Sequence, residues 1–154
     1  LAWERRDAWV WAIDRSQEAL SLARENVNAH DLASRLLLLR GDLLAPLRAS
    51  SLDLILSNPP YLTSTEMAQL PPEVQWEPSA ALDGGADGLD VLRRPIPGAY
   101  TVLAPGGYLL CEIGAGQAEP GLDILQGAGF MDGHTVADLA AIPRVIVGRK
   151  PPHS

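Results

Sequence analysis

Six consecutive apolar residues, Ala8, Trp9, Val10, Trp11, Ala12 and Ile13, run without polar alternation and end at Asp14. Such a run suits a strand buried on both faces, as in a parallel sheet covered by helices. Ser16 follows as a good helix N-cap. Leu20, Ala23 and Val27 then recur at helical spacing, with Arg15, Glu18, Arg24 and Glu25 as polar partners, so a helix is predicted to about His30. Leu36–Arg40 reads as the next strand, closed by Gly41 and Asp42, and Pro46 marks a loop. The apolar run Leu52–Ser57 is a third strand.

Residues 62–88 break this pattern. Pro71, Pro72, Pro78, Gly84, Gly85 and Gly88 predict a long irregular loop, and loops of that length in compact domains are usually functional or disordered. A helix over Leu89–Leu103 is expected in two short pieces or with a kink, because Pro95 and Pro97 each remove a backbone donor. Pro105, Gly106 and Gly107 turn the chain into a strand at Tyr108–Ile113. Gln117–Gly127 is a helix with Pro120 in its first turn, and Phe130–Val136 and Arg144–Arg149 form a final strand pair. Strand–helix alternation followed by a terminal hairpin predicts an α/β sheet with a mixed edge.

At 154 residues the expectation is one domain over 1–150 with a short tail, 151–154. The opening Leu1–Arg6 reads as the tail of a helix already in progress, which predicts an N-terminally incomplete chain. No apolar stretch approaches the roughly 18–20 residues that span a bilayer. The single cysteine, Cys111, lies in an apolar strand and reads as a small buried hydrophobe, in keeping with a reducing cytoplasm. A net charge of −7 disfavours broad binding to a phosphate backbone. His30, His134 and His153 have no ligand spacing, so no metal is expected.

Three strand ends carry candidate chemistry. Asp14 sits between a strand and a helix, where a carboxylate either accepts bonds from the two hydroxyls of a ribose or caps the helix. Asp42 either accepts from an exocyclic adenine amine or is a turn residue. Asn58, Pro59, Pro60 and Tyr61 follow the third strand, where open α/β sheets bind ligands. Asn58 offers a side-chain carbonyl, and Pro59 a backbone carbonyl with no competing donor. Two neighbouring acceptors suit an incoming –NH2 group, and Tyr61 adds a flat apolar wall with a polar tip. An Asn before a Pro also starts ordinary turns. If the three strands are successive members of one sheet, their ends face one crevice.

The runs "AIDRSQEALSLARENV", "RGDLL", "LDLILSNPPYL", "EPSAALDGGADGLDVLRR", "LAPGGYLLCEIGAGQ", "LQGAGF" and "RVIVGRK" together resemble the HemK/PrmC family. Its members are class I S-adenosylmethionine-dependent methyltransferases that modify a glutamine of peptide chain release factors. The resemblance covers nearly the whole chain, and the segment after the tetrad is its most specific part. It implies a Rossmann-like fold, mostly parallel with an antiparallel terminal strand, whose first strand is missing here. It implies that Asp14 holds the ribose of S-adenosylmethionine, that Asp42 and Leu43 hold and flank its adenine, and that Asn58 lies at the donor as well. Asn58 and the Pro59 carbonyl would bind the glutamine amide, with Pro60 beside them, Tyr61 packed against it and Glu77 shaping the substrate loop. The partner would be a class I release factor, with no membrane and no direct nucleic-acid contact.

The glycine-rich donor loop and the helical domain that family members carry upstream are absent from these residues, and Gly84–Gly88 does not replace the loop. Weak donor binding is therefore expected of this chain. Two other readings use the same residues. An adenine or guanine amino group would fit the tetrad, stacked on Tyr61. The chain would otherwise be an inactive fragment.

Overall fold

The computed structural model describes residues 1–70 and 79–153. They form two compact units, Leu1–Leu47 and Arg48–Ser154.

In the first unit, strand β1 (Val10–Asp14) pairs in parallel with β2 (Leu36–Arg40), and helix α1 (Gln17–Ala29) connects them. The helix starts where Ser16, in extended conformation, accepts a bond from the Ala19 amide through its hydroxyl at 3.1 Å. Leu20 and Val27, seven residues apart, bury the inner face of α1. β1 begins at Val10 rather than Ala8, because the Val10 amide makes the first cross-strand bond, to the Arg35 carbonyl. Burial on both faces is not what β1 and β2 show. Trp9, Trp11 and Leu37 are exposed, since a two-stranded ribbon with one connecting helix leaves apolar side chains uncovered. The expected helix tail at Leu1–Arg6 is a single turn, closed by the Arg5 amide on the Leu1 carbonyl at 2.8 Å. The guanidinium of Arg35 holds that turn by donating to the carbonyls of Ala2, Arg5 and Ala8.

The second unit is a four-stranded sheet in the order β3 (Leu52–Ser57), β4 (Leu103–Glu112), β6 (Pro143–Arg149), β5 (Met131–Ala137). β3 and β4 are parallel, and β6 is antiparallel to both β4 and β5. Only β6 therefore runs against the other strands, and it sits between two of them rather than at the edge. The hairpin closes on Asp138. One of its carboxylate oxygens accepts from the Ala140 and Ile142 amides, and the other from the Arg144 guanidinium at 3.0 Å. Those bonds hold the Asp138 carboxyl below its usual range.

The proline-interrupted stretch is two helices, α3 (Asp90–Arg93) and α4 (Pro95–Val102). Pro95 opens α4, where the missing N–H would be unpaired anyway. Helix α5 (Ala118–Gly127) packs on the sheet through Gly121 and Leu125. A Cβ on Gly121 would approach Ile146 Cδ1 to 3.2 Å, so a larger residue would push the helix off β6. Leu92, Ile96, Leu103, Ile113, Leu125 and Ile146 are the largest fully buried side chains. Cys111 is buried among them. Loss of water contact pushes its thiol up to about 12, so it stays protonated and unreactive.

The Pro105–Gly107 turn lies inside β4, as a break in register between the pairs Leu52–Leu103 and Leu54–Tyr108. Backbone bonds from Gly106 to Lys150 and from Lys150 to Gly107 carry the chain through it. The Lys150 ammonium is itself buried. It donates to the Leu103 carbonyl at 2.9 Å and lies 4.9 Å from the centre of the Tyr100 ring. Among the described residues, no helix is long and apolar enough to cross a membrane.

Candidate functional site

In the first unit, two carboxylates stand at the carboxyl end of the parallel pair. Asp14 is the last residue of β1 and is in register with Arg40, the last of β2, two residues before Asp42. The Gly41 amide donates to the Asp14 carbonyl at 3.0 Å, which joins the two strand ends. Gly41 is required there, because a Cβ would collide with the Pro46 ring. Asp14 is exposed. Its Oδ1 accepts from the Ser16 amide at 2.7 Å, while Ser16 itself caps α1. The helix-cap role thus belongs to Ser16. Leu43 is 40% exposed in a left-handed conformation, with φ 51°, which presents an apolar side chain next to Asp42.

In the second unit, β3 delivers the chain into Asn58–Tyr61, which has no regular structure. Asn58 is exposed, Pro59 is buried, and Pro60 and Tyr61 are half-buried. Neither proline has an N–H with which to anchor the loop. The anchors come just after it. The Leu62 amide donates to the Leu82 carbonyl at 3.0 Å, and the Gly84 amide donates to the Leu62 carbonyl at 2.8 Å. Leu62 and Asp83 therefore form a short parallel bridge. The described parts of the expected irregular loop, 62–70 and 79–88, hold short ordered elements. Thr63 and Glu66 cap helix α2 (Ser64–Met67) reciprocally, with Glu66 Oε2 accepting from the Thr63 amide at 2.8 Å. These bonds lower the Glu66 carboxyl below its usual range. A short 3-10 turn, Ser79–Ala81, leads into the bridge. Glu77, like the prolines at 71, 72 and 78, lies outside the described residues.

The segment Gly84–Gly88 is the backing of the tetrad. A Cβ on Gly84 would come within 2.9 Å of the Tyr61 carbonyl carbon, and one on Gly88 within 2.5 Å of the Tyr61 oxygen. Gly88 also has φ 73°, where a side chain is strained. Asp87 ties this turn to α3 by a two-pronged ion pair with Arg93, with contacts of 2.9 and 2.6 Å. The Arg93 guanidinium, with help from the Leu89 amide, lowers the Asp87 carboxyl to about 2.

Gln117, which sequence reasoning left as the start of a helix, reaches into the same place. Its Oε1 accepts from the Gly114 amide at 2.9 Å, and its Nε2 donates to the carbonyls of Tyr61 and Gly88 at 3.1 and 3.2 Å. No local signal marks its reach, because the two carbonyls that it donates to are 56 and 29 residues away. The capping box Thr63–Glu66, by contrast, was readable as a Thr-x-x-Glu pattern.

A family model described as methyltransferase small domain matches residues 1–72. The chain is 43% identical over 150 residues to the release factor glutamine methyltransferase of Geobacter sulfurreducens, covering 97% of this chain and 52% of that protein. It is 51% identical over 111 residues to the ribosomal protein uL3 glutamine methyltransferase of Bradyrhizobium diazoefficiens, covering 72% of this chain and 35% of that one. The chain thus spans about half the length, or less, of these curated relatives. Among solved structures, a methyltransferase from Pyrococcus furiosus superposes with TM-score 0.69 at 16% identity, over 97% of this chain and 66% of its own. Strand order, helix placement and this likeness are those of the class I S-adenosylmethionine-dependent methyltransferase fold, and in sequence the chain is similar to curated glutamine methyltransferases over the part of them that it spans.

Proposed function

We propose that this protein transfers a methyl group from S-adenosylmethionine to the side-chain amide nitrogen of glutamine in the Gly-Gly-Gln motif of a class I peptide chain release factor. The observation that carries the reading is the tetrad Asn58–Tyr61 at the end of β3, backed by the Gly84–Gly88 turn, in a chain whose relatives are named for that reaction.

The donor falls to the first unit. Asp14 offers a carboxylate oxygen to a ribose hydroxyl, and Asp42 with Leu43 serves the adenine. S-adenosylmethionine supplies an already activated sulfonium methyl, so placement is the main task of the protein. An amide nitrogen is a poor nucleophile because its lone pair is delocalised. Accepting its two hydrogens on Asn58 Oδ1 and the Pro59 carbonyl turns the nitrogen toward the methyl and favours charge build-up on it. Tyr61 packs against the flat amide, and Pro60 stiffens the loop. Glu77 would shape the substrate loop.

A base amino group would suit the same acceptors. The net charge of −7 and the names of the relatives favour protein over nucleic acid. The uL3-directed relative makes a ribosomal-protein glutamine the second substrate to test. The experiment follows label from S-adenosylmethionine with the complete gene product. A class I release factor is expected to accept methyl, and the same factor with its motif glutamine changed to alanine is expected not to. Methylation of uL3 or of an oligonucleotide with the release factor untouched would overturn the assignment.

A further inference from the structure

The tetrad carries its acceptors on a segment that cannot hold itself. Pro59 and Pro60 have no backbone donor, and Asn58 is exposed. The loop is held by its carbonyls instead, and one of these, on Tyr61, is gripped by Gln117. Gln117 is 8% exposed, and its amide is fully used: one acceptor takes the Gly114 N–H, and the nitrogen serves both Tyr61 and Gly88. A single side chain therefore joins the loops after β3, before α3 and after β4. It does so instead of capping its own helix, since Gln117 makes no side-chain cap bond to α5. The surrounding glycines are what let three backbones close on it. A Cβ on Gly88 would stand 2.5 Å from Gln117 Nε2, and one on Gly114 would stand 3.1 Å from the Tyr61 ring.

We propose that Gln117 is a positioning residue for methyl transfer. By gripping the Tyr61 and Gly88 carbonyls, it sets where Asn58 and Pro59 present their acceptors. The inference rests on the tetrad being the acceptor site, and it adds a residue that touches neither substrate nor donor. Displacing a reacting group by about 1 Å costs roughly 100-fold in rate, so loosening this grip should act on kcat.

The test uses Gln117→Asn and Gln117→Met in the complete gene product. Asparagine keeps an amide but is one methylene short of Tyr61, and it is a better helix N-cap than glutamine. Its thermal stability should hold while kcat falls about 10- to 100-fold. Affinity for S-adenosylhomocysteine and KM for the acceptor should stay within about twofold. Methionine fills the space with no polar atoms and should lose at least as much kcat. Hydrogen exchange at the Gly114 amide should quicken in both variants, a readout that needs no turnover. Kinetics are read on whichever acceptor the wild type methylates. A wild type that ignores the release factor thus counts against the substrate assignment and not against Gln117. Unchanged kcat in both variants, or unchanged Gly114 exchange, would overturn the proposal. So would a kcat loss only in proportion to lost folded protein.

Discussion

The two units solve the same problem with different amounts of core. Leu1–Leu47 puts its two carboxylates on a two-stranded ribbon, with Ala2, Leu20 and Val27 as its buried apolar residues. Trp3, Trp9, Trp11, Leu22 and Leu37 remain exposed on it. Arg48–Ser154 puts the tetrad on a four-stranded sheet whose centre, from Leu92 and Ile96 through Leu103 to Ile146, is at most 1% exposed. Each unit also fastens loop carbonyls with one polar side chain. Arg35 does it near the surface for the Leu1–Ala8 turn, and Gln117 does it in the interior for the tetrad. A hydrogen bond away from water is worth more and is harder to replace. The candidate acceptor loop is therefore fastened from the interior of its unit, and the Leu1–Ala8 turn from nearer the surface of its own.

The sharpest way to break this comparison is Asn58→Ala in the complete gene product. Turnover should fall by about 100- to 1,000-fold, the scale seen when one preorganised polar contact to reacting atoms is removed. Binding of S-adenosylhomocysteine by calorimetry should stay nearly intact. Turnover close to wild type would remove Asn58 from the chemistry.

Next in size are two truncations of buried side chains. Ile146→Ala, at a fully buried site against Gly121, should cost about 2–5 kcal/mol in denaturant unfolding. Leu20→Ala in the first unit should cost less, because fewer neighbours surround its cavity. Equal losses would undo the contrast in packing.

Asp14→Ala should weaken the donor by roughly 1.5–3 kcal/mol, the scale of a charge-assisted hydrogen bond. Asp14→Asn should cost less, since an amide keeps one oxygen that can accept from a ribose hydroxyl. Calorimetry gives both values. Unchanged donor affinity with lowered thermal stability would reduce Asp14 to its bond with Ser16.

The smallest effect concerns acid. The folded state holds the Asp87 carboxyl near 2, below its ordinary 3.8, so its pair with Arg93 stabilises the Gly84–Gly88 turn fully above about pH 4. That contribution fades as pH falls through about 2. Arg93→Met should flatten this part of the stability profile in acid titration of unfolding. Both side chains are half exposed, and the change should be small.

Much of the fold was legible because it is written in local patterns. Ser16 before a Leu20–Val27 stripe gave the start of α1 to the residue, and the two prolines at 95 and 97 foretold the split into α3 and α4. The apolar runs ending at Arg40 and Ser57 marked β2 and β3 at their true bounds. The exposure of Trp9 and Trp11 was not legible, since an apolar run says what a strand would bury but not what lies against it. The break in β4 was misread as a turn before the strand. A Pro-Gly-Gly step looks the same in both settings, and the bonds that keep it in the sheet come from Lys150.

By itself, the sequence determined where strands and helices alternate, which strand end carries Asn58, Pro59, Pro60 and Tyr61, and where Asp14 and Asp42 fall after theirs. Those are properties of neighbours along the chain. Tertiary structure alone decided that β6 inserts between β4 and β5, and that Gly84–Gly88 lies behind the tetrad. It also decided that Gln117 turns inward to the Tyr61 and Gly88 carbonyls instead of capping α5. The physical reason is that a buried amide must satisfy its donors and acceptor wherever the fold offers partners, and here both acceptors of its N–H groups are far away in sequence.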